Sequence, residues 1–336
     1  MRKLLTSLLL GLAVGCGEQA EKPDFGQEPA DPVAQLFPGE RPDGNAETEP
    51  NMKDPVELRQ RGNGFFALED YDNAIEWYSA AIDAKEDAKS YFNRGVAYMS
   101  KNDLDKALAD YDKAIQLEPT AASPFVNRGL LLHRMGKTAQ GLNDMTAALK
   151  LDPKDASILL NRGLLYMNIS MLDRAIADFT QALEINPTYA DVYIDRGYCY
   201  HLKKQYQPAL KDFDKAIELA PLRGLAFSSR GNTHSSVGEH EKALADLDEA
   251  IRLEGREAIH YSNRGSAYGA KGDHRRAVAD FTRAIELAPD YAPAYRNRGH
   301  AYHALGEKDQ ARGDFTIALE IEPNGTDGIP AEYLKK

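Results

Sequence analysis

The chain has 336 residues, 28% of them charged, with a formal net charge of −11 and no cluster of Lys or Arg. Phosphate neutralisation needs a basic stripe, so nucleic acid is excluded as a partner class. Two cysteines, Cys16 and Cys199, provide neither a disulfide framework nor Cys/His zinc spacing.

Arg2 and Lys3 precede an apolar run of eleven residues, Leu4 to Val14. That run is too short for a membrane-spanning helix and has the length of a secretory apolar region. Ala13-Val14-Gly15-Cys16 follows, and this segment resembles the lipobox of bacterial lipoproteins. The resemblance implies a signal peptide over 1–15 and acyl chains on Cys16, which together form a stable membrane anchor. Gly17, in place of Asp, implies sorting to the outer membrane, with the chain facing the periplasm.

Gly17 to Asp54 holds six prolines, ten acidic residues and three basic ones, with no apolar period. Such a segment buries too little surface to offset its ordering entropy, so 16–54 is expected to be a lipidated Cys followed by a disordered tether. Val33 to Phe37 is its one candidate docking motif.

The rest of the chain is organised by a dipeptide. Arg-Gly recurs at Arg61, Arg94, Arg128, Arg162, Arg196, Arg230, Arg264 and Arg298, first after 33 residues and then at intervals of 34. Numbering each unit so that its Gly is position 8 gives repeats 55–87, 88–121, 122–155, 156–189, 190–223, 224–257, 258–291 and 292–325. Large residues stand at position 4 (Tyr91, Phe125, Leu159), and small ones at 8, 20 and 27. Pro119, Pro153, Pro187, Pro221, Pro289 and Pro323 end the second half of their repeats. Apolar residues at 4, 8 and 11 and at 20, 21, 24, 27 and 28 have helical spacing.

This pattern resembles the tetratricopeptide repeat (TPR). The resemblance implies an all-α, right-handed superhelical solenoid of about eight helix-turn-helix repeats over 55–325, followed by a tail over 326–336. Two joints lack the proline, after Ala84 and at Gly255, and are expected to be the mobile ones. Position 21, apolar in seven repeats, is Arg312 in the last, as suits an end cap.

In this family the first helices line a groove through positions 2, 5, 6, 9, 12 and 13. The resemblance therefore implies a partner-binding row of Phe92, Asn93, Val96, Met99, Val126, Asn127, Leu130, His133, Leu160, Asn161, Leu164, Met167, Ile194, Tyr198 and His201. The groove is greasy in repeats two to five and small and polar in repeats six to eight, where Ser228, Ser262, Ser266, Arg296, His300 and His303 stand. An exposed apolar row marks a partner site. Arg59, Asn63 and Asn93 match three members of the family's two-carboxylate clamp, but Ser123 and Asn127 replace its two cationic members. Arg at position 7 is matched by Asp at position 23 in seven repeats. Arg94, Arg128, Arg162 and Arg196 with Asp110, Asp144, Asp178 and Asp212 are expected to form a structural ladder of charged hydrogen bonds. Arg61 or Arg94 would stack instead on Trp77 of repeat one.

No phosphate loop, nucleophile elbow or zinc-protease helix occurs. His300 and His303 read as groove lining, Cys199 as a packing residue, and no cofactor or metal is called for. The expected function is a non-enzymatic envelope lipoprotein serving as a protein-interaction scaffold or assembly adaptor. The alternative is a periplasmic chaperone or pilotin gripping apolar segments of envelope clients.

Overall fold

The computed structural model describes residues 54–326 and 328–334. The expected signal peptide, Cys16 and the expected tether as far as Lys53 lie outside those residues, while Asp54 is described and caps α1. Among the described residues every regular element is a helix. These are α1 (Pro55–Ala67), α2 (Tyr71–Ala84), α3 (Ala88–Ser100), α4 (Leu104–Leu117), α5 (Ala122–Arg134), α6 (Thr138–Leu151), α7 (Ala156–Asn168) and α8 (Leu172–Ile185). They continue with α9 (Ala190–Leu202), α10 (Tyr206–Leu219), α11 (Gly224–Ser236), α12 (His240–Leu253), α13 (Ala258–Ala270), α14 (His274–Leu287), α15 (Ala292–Ala304), α16 (Lys308–Ile321) and α17 (Ala331–Leu334). The fold is an all-α TPR-type solenoid. It divides into two compact units, one ending at Ile185 and one starting at Asn186, each holding four helix pairs.

Each pair is antiparallel and closed by one residue in the left-handed region at position 15. Glu69, Asn102, Ser170 and Lys204 take φ near 60°, and Gly136, Gly238, Gly272 and Gly306 take φ of 79–87°. This residue ends the first helix and reverses the chain. Asp54, Asp70, Asp87, Asp103, Asp155 and Asp273 accept backbone N–H groups at helix starts.

Small residues set the spacing inside a pair. A Cβ on Gly163 would lie 2.6 Å from the Phe179 ring, so the aromatic at position 24 fills the space that the glycine leaves. In repeat three the second helix carries Gly141, and a Cβ there would meet the Gly129 carbonyl at 2.4 Å. Ala74, Tyr78 and Ala81, like Ala175, Phe179 and Ala182, are fully buried at positions 20, 24 and 27.

The two joints without proline are tied by acids. Asp87 accepts from Ser90 N (3.0 Å) and from Arg59 Nη1 (3.1 Å). Glu254 accepts from Gly224 N (3.0 Å) and pairs with Nε2 of the buried His260 (3.0 Å). At the C-terminus, Ile329 and Tyr333 of the α17 segment bury themselves against Ala311 and Phe315. Arg312 lies under the Tyr333 ring, 5.5 Å from its centroid, rather than on a bare solvent face.

Candidate functional site

Within each unit the first helices of successive repeats touch one another, α1 with α3, α3 with α5 and α5 with α7, then α9, α11, α13 and α15 in turn. Second helices of neighbouring repeats do not approach as closely, so the first helices form the inner side of each stack.

In the first unit the expected row is partly core. Phe92, Val126 and Leu160 at position 5 are 8–9% exposed, and Leu164 and Met167 are 2–3% exposed. Their apolar surface is used between helices and is not displayed, which corrects the expectation of an exposed row at these residues. Phe92 packs on Tyr111 with Ala114 and Leu131, and Val126 packs with Met145 and Ile158. The surface that remains available is narrower: Val96, Met99, Asn127, Leu130 and His133, all half-buried, with Asn161 beyond.

The position-6 amides serve the array. Asn93 is 1% exposed and donates to Asn63 Oδ1 (2.9 Å), which also accepts from the Tyr78 hydroxyl (2.9 Å). Asn127 donates to the Ser123 carbonyl (3.1 Å). Two of the three clamp-like residues are thus engaged with each other, while Arg59 holds Asp87. His133 Nδ1 lies 3.0 Å from Thr138 Oγ1, and burial holds its pKa below the usual histidine value. Arg134, exposed at the groove edge, donates to Asn102 (2.6 Å).

In the second unit Ile194 is buried, and Tyr198 and His201 are half-buried and stacked with centroids 6.4 Å apart. His201 Nδ1 is 2.9 Å from Thr233 Oγ1, whose own hydrogen goes to the Ser229 carbonyl (2.9 Å). The Thr233 oxygen can therefore only accept, so Nδ1 carries the His201 proton and Nε2 presents a lone pair. Burial depresses the His201 pKa and raises that of the Tyr198 phenol. Asp195, buried at position 6, is pushed up to about 8 by desolvation first and by Asp191 next, with Arg223 opposing.

The polar half of the groove is less open than its residue types suggest. Ser228 and Ser262 are buried, and Asn263 donates to Ser228 Oγ (2.9 Å) across the repeat boundary. Tyr291 sits against Ser262, and burial pushes its phenol up to about 12. His300 stands edge-on to Phe315 (5.0 Å), and His303 Nδ1 lies 2.9 Å from the Tyr333 hydroxyl. Arg296 donates to Glu322 (2.9 Å). Cys199 is fully buried, with its thiol pKa raised.

The Arg row meets the Asp row. Arg94, Arg128, Arg162 and Arg196 each place Nε and Nη2 on the two carboxylate oxygens of Asp110, Asp144, Asp178 and Asp212 at 2.8–2.9 Å. Arg230, Arg264 and Arg298 do the same to Asp246, Asp280 and Asp314. Arg61 lies over Trp77, 5.0 Å from its centroid. Sequence reasoning missed the third arm. Arg128 Nη1 reaches Asp112 (2.6 Å) and Arg94 Nη1 reaches Ser79 (2.9 Å), both at position 25 of the preceding repeat.

Sequence models described as "Tetratricopeptide repeat" match 88–121, 122–155, 156–189, 190–221 and 292–324, and one described as "TPR repeat" matches 265–306. Together they span more than half of the chain. The chain belongs to the tetratricopeptide repeat family. A crystal structure of a tetratricopeptide repeat protein from Parabacteroides merdae superposes with a TM-score of 0.65 at 26% identity, covering 71% of this chain and 94% of that one. A chain in a crystal structure of the APC/C hetero-tetramer Cut9-Hcn1 shares the fold at a TM-score of 0.53 and 16% identity, covering 81% of this chain and 68% of that chain.

Among curated relatives, Protein unc-45 homolog B of Xenopus laevis is 37% identical over 89 residues, 25% of this chain and 10% of that protein. Hsp70-Hsp90 organizing protein 3 of Arabidopsis thaliana is 34% identical over 76 residues, 22% of this chain and 14% of that protein. The chain thus spans a tenth to a seventh of the length of these relatives.

Proposed function

We propose that this protein is a scaffold of the bacterial cell envelope. Acyl chains on Cys16 hold it to the membrane, and the inner side of its first unit holds protein partners. The observation that carries the binding role is the strip of Val96, Met99, Leu130 and His133, which stays half-exposed on α3 and α5 while their neighbours Phe92 and Val126 are buried. Adjacent Met and Leu side chains make an adaptable apolar platform suited to short peptide segments. The amide of Asn127 beside them can pair with a peptide backbone. The organising function named for the Arabidopsis relative is consistent with an adaptor role. Support for the anchor is the lipobox-like Ala13-Val14-Gly15-Cys16.

The test is crosslinking in cells from a photoreactive residue at Leu130. A scaffold yields a defined partner whose capture is lost in Leu130→Asp. Suppression of aggregation across unrelated clients would select the chaperone reading instead. The anchor is tested by palmitate labelling, which Cys16→Ala should abolish.

A further inference from the structure

The groove of the first unit has a charge bias opposite to that of the chain. Across its four repeats, positions 2, 5, 6, 9, 12 and 13 carry Arg59, Lys89 and Arg134 and no carboxylate, in a chain with 52 acidic and 41 basic residues. Arg59 already holds Asp87, whereas Arg134 is exposed at the groove edge and its hydrogen-bond partners there, Asn102 Oδ1 and, at 3.9 Å, Met99 Sδ, are neutral. Between the cations lies the strip of Val96, Met99 and Leu130, about one helical turn of apolar surface. The matching ligand is a short apolar cluster flanked by acids.

The chain contains such a segment upstream of α1. Residues 28–40 read Glu-Pro-Ala-Asp-Pro-Val-Ala-Gln-Leu-Phe-Pro-Gly-Glu. Val33, Leu36 and Phe37 fall at i, i+3 and i+4, which is one face of a single helical turn. Asp31-Pro32 before them is a helix-start signal, and Pro38 after them is a stop. Glu28, Asp31 and Glu40 surround the cluster. Elsewhere between Gly17 and Asp54 no three large apolar residues share this spacing.

Reach and concentration allow the match. Sixteen residues separate Phe37 from Asp54, the first described residue, and the seventeen steps between the two can span up to about 55–60 Å when extended. The strip on α3 and α5 lies one to two first-helix spacings from α1, roughly 10–20 Å. A tethered segment is presented at an effective concentration of about a millimolar, so even weak affinity occupies the groove.

We infer that residues 28–40 are the groove's own cis-occupant. Val33, Leu36 and Phe37 dock on Val96, Met99 and Leu130, and the flanking acids face Arg134. This inference rests on the groove reading under Proposed function and adds its regulation: a partner must displace the segment. With an effective concentration ten times the segment's dissociation constant, the apparent affinity for a competing ligand falls about tenfold.

The experiment uses the purified full chain with p-benzoylphenylalanine in place of Phe37. Irradiation should give an intramolecular crosslink to the peptide containing Met99 or Leu130. Its yield should be independent of protein concentration and reduced at least fivefold by Leu130→Asp. A labelled synthetic peptide of residues 28–40 should bind the Leu36→Asp/Phe37→Asp full chain about tenfold more tightly than the wild type. Crosslinks confined to other surfaces, a dimeric product whose yield scales with concentration, or equal peptide affinity for the two proteins would each overturn cis-docking. Partner capture at Leu130 is read separately. If it persists without the crosslink, only the inference fails; if Leu130→Asp changes neither, the groove reading fails as well.

Discussion

Nη1 of Arg128 lies 2.6 Å from Asp112, a residue of the preceding repeat, while Nε and Nη2 of the same side chain grip Asp144 of its own repeat. One guanidinium thus joins three helices, α4, α5 and α6. Arg230 and Arg264 repeat this with Asp214 and Asp248, whereas Arg162 finds only the Thr146 hydroxyl, at 3.4 Å. Thr146→Asp should therefore add stability, by up to about 1 kcal/mol and less at high salt, because the second carboxylate sits near the surface. Asp178→Ala strands the fork of Arg162 in a part-buried site and should cost about 2–3 kcal/mol. Denaturant melts of the two variants at low and high salt check both; a Thr146→Asp midpoint below that of the wild type would sink the three-helix account.

Position 15 offers a stabilising change. Ser170 and Lys204 hold φ of 60° and 58°, where a Cβ is strained, while Gly136 and Gly238 fill the same slot in other repeats. Ser170→Gly and Lys204→Gly should each raise stability by about 0.5 kcal/mol, since relief of strain exceeds glycine's added entropy in the unfolded chain. The double variant should melt higher than either single one, because the two sites lie in different repeats.

Leu130 and Leu164 occupy the same slot one repeat apart but differ in burial. Leu130 is half-exposed and Leu164 is 2% exposed. Leu164→Asp puts a carboxylate into packed core and should cost at least about 3 kcal/mol or prevent folding. Leu130→Asp should lower stability by roughly 1 kcal/mol while abolishing groove binding. Circular-dichroism melts of the pair separate the two roles.

That contrast shows how far the residues alone can be read. The Gly at position 8 and the aromatic at 24 recur at fixed spacing, and their meeting, as in Gly163 and Phe179, follows from helical periodicity. The pairing of Arg162 with Asp178 was legible because both rows are nearly invariant along the array. Depth within the groove was not legible. Periodicity says which face Leu130 and Leu164 share, not how closely neighbouring helices press on each. The Arg128–Asp112 link was hidden because position 25 alternates Ser, Thr and Asp, and because its partner lies in the next repeat. The left-handed turn was half-hidden, since only four of its eight residues are glycine. The Tyr291–Ser262 contact follows no repeat pattern, and sequence reasoning missed it.

Asp195 gives the array a pH dependence whose sign is fixed. Its pKa is pushed up to about 8 by burial on α9, against an ordinary carboxyl value near 4. Between those values the folded chain keeps a proton that the unfolded chain has lost, so this group's contribution is full below about pH 4 and is lost as pH rises through about 8. Asn occupies the same slot at Asn93, Asn127 and Asn161 and does not titrate. Asp195→Asn should match the wild type near pH 4 and exceed it increasingly towards pH 8, by as much as a few kcal/mol. All other groups titrate alike in both proteins, so the difference in denaturant midpoints at pH 4, 6 and 8 isolates Asp195. A difference that shrinks with rising pH would exclude a protonated Asp195 in the folded chain.

Tyr78 and Tyr111 fill position 24 in successive repeats, both with 0% exposure, but only one phenol is satisfied. The Tyr78 hydroxyl donates to Asn63 Oδ1 at 2.9 Å, within the network that also holds Asn93. Repeat two has Val96 where repeat one has Asn63, and the Tyr111 hydroxyl has no hydrogen-bond partner. A buried hydroxyl without a partner carries its desolvation cost unrelieved. Phe occupies this slot at Phe179, Phe213, Phe281 and Phe315, so the ring alone fits the space facing the glycine. Tyr111→Phe should accordingly raise stability by about 1 kcal/mol, and Tyr78→Phe should lower it by a similar amount, since it leaves the Asn63 amide short of a donor. Paired denaturant melts read the two shifts. Because the variants are chemically identical and lie at the same repeat position, shifts of the same sign would show that the Asn63 network does not set the difference.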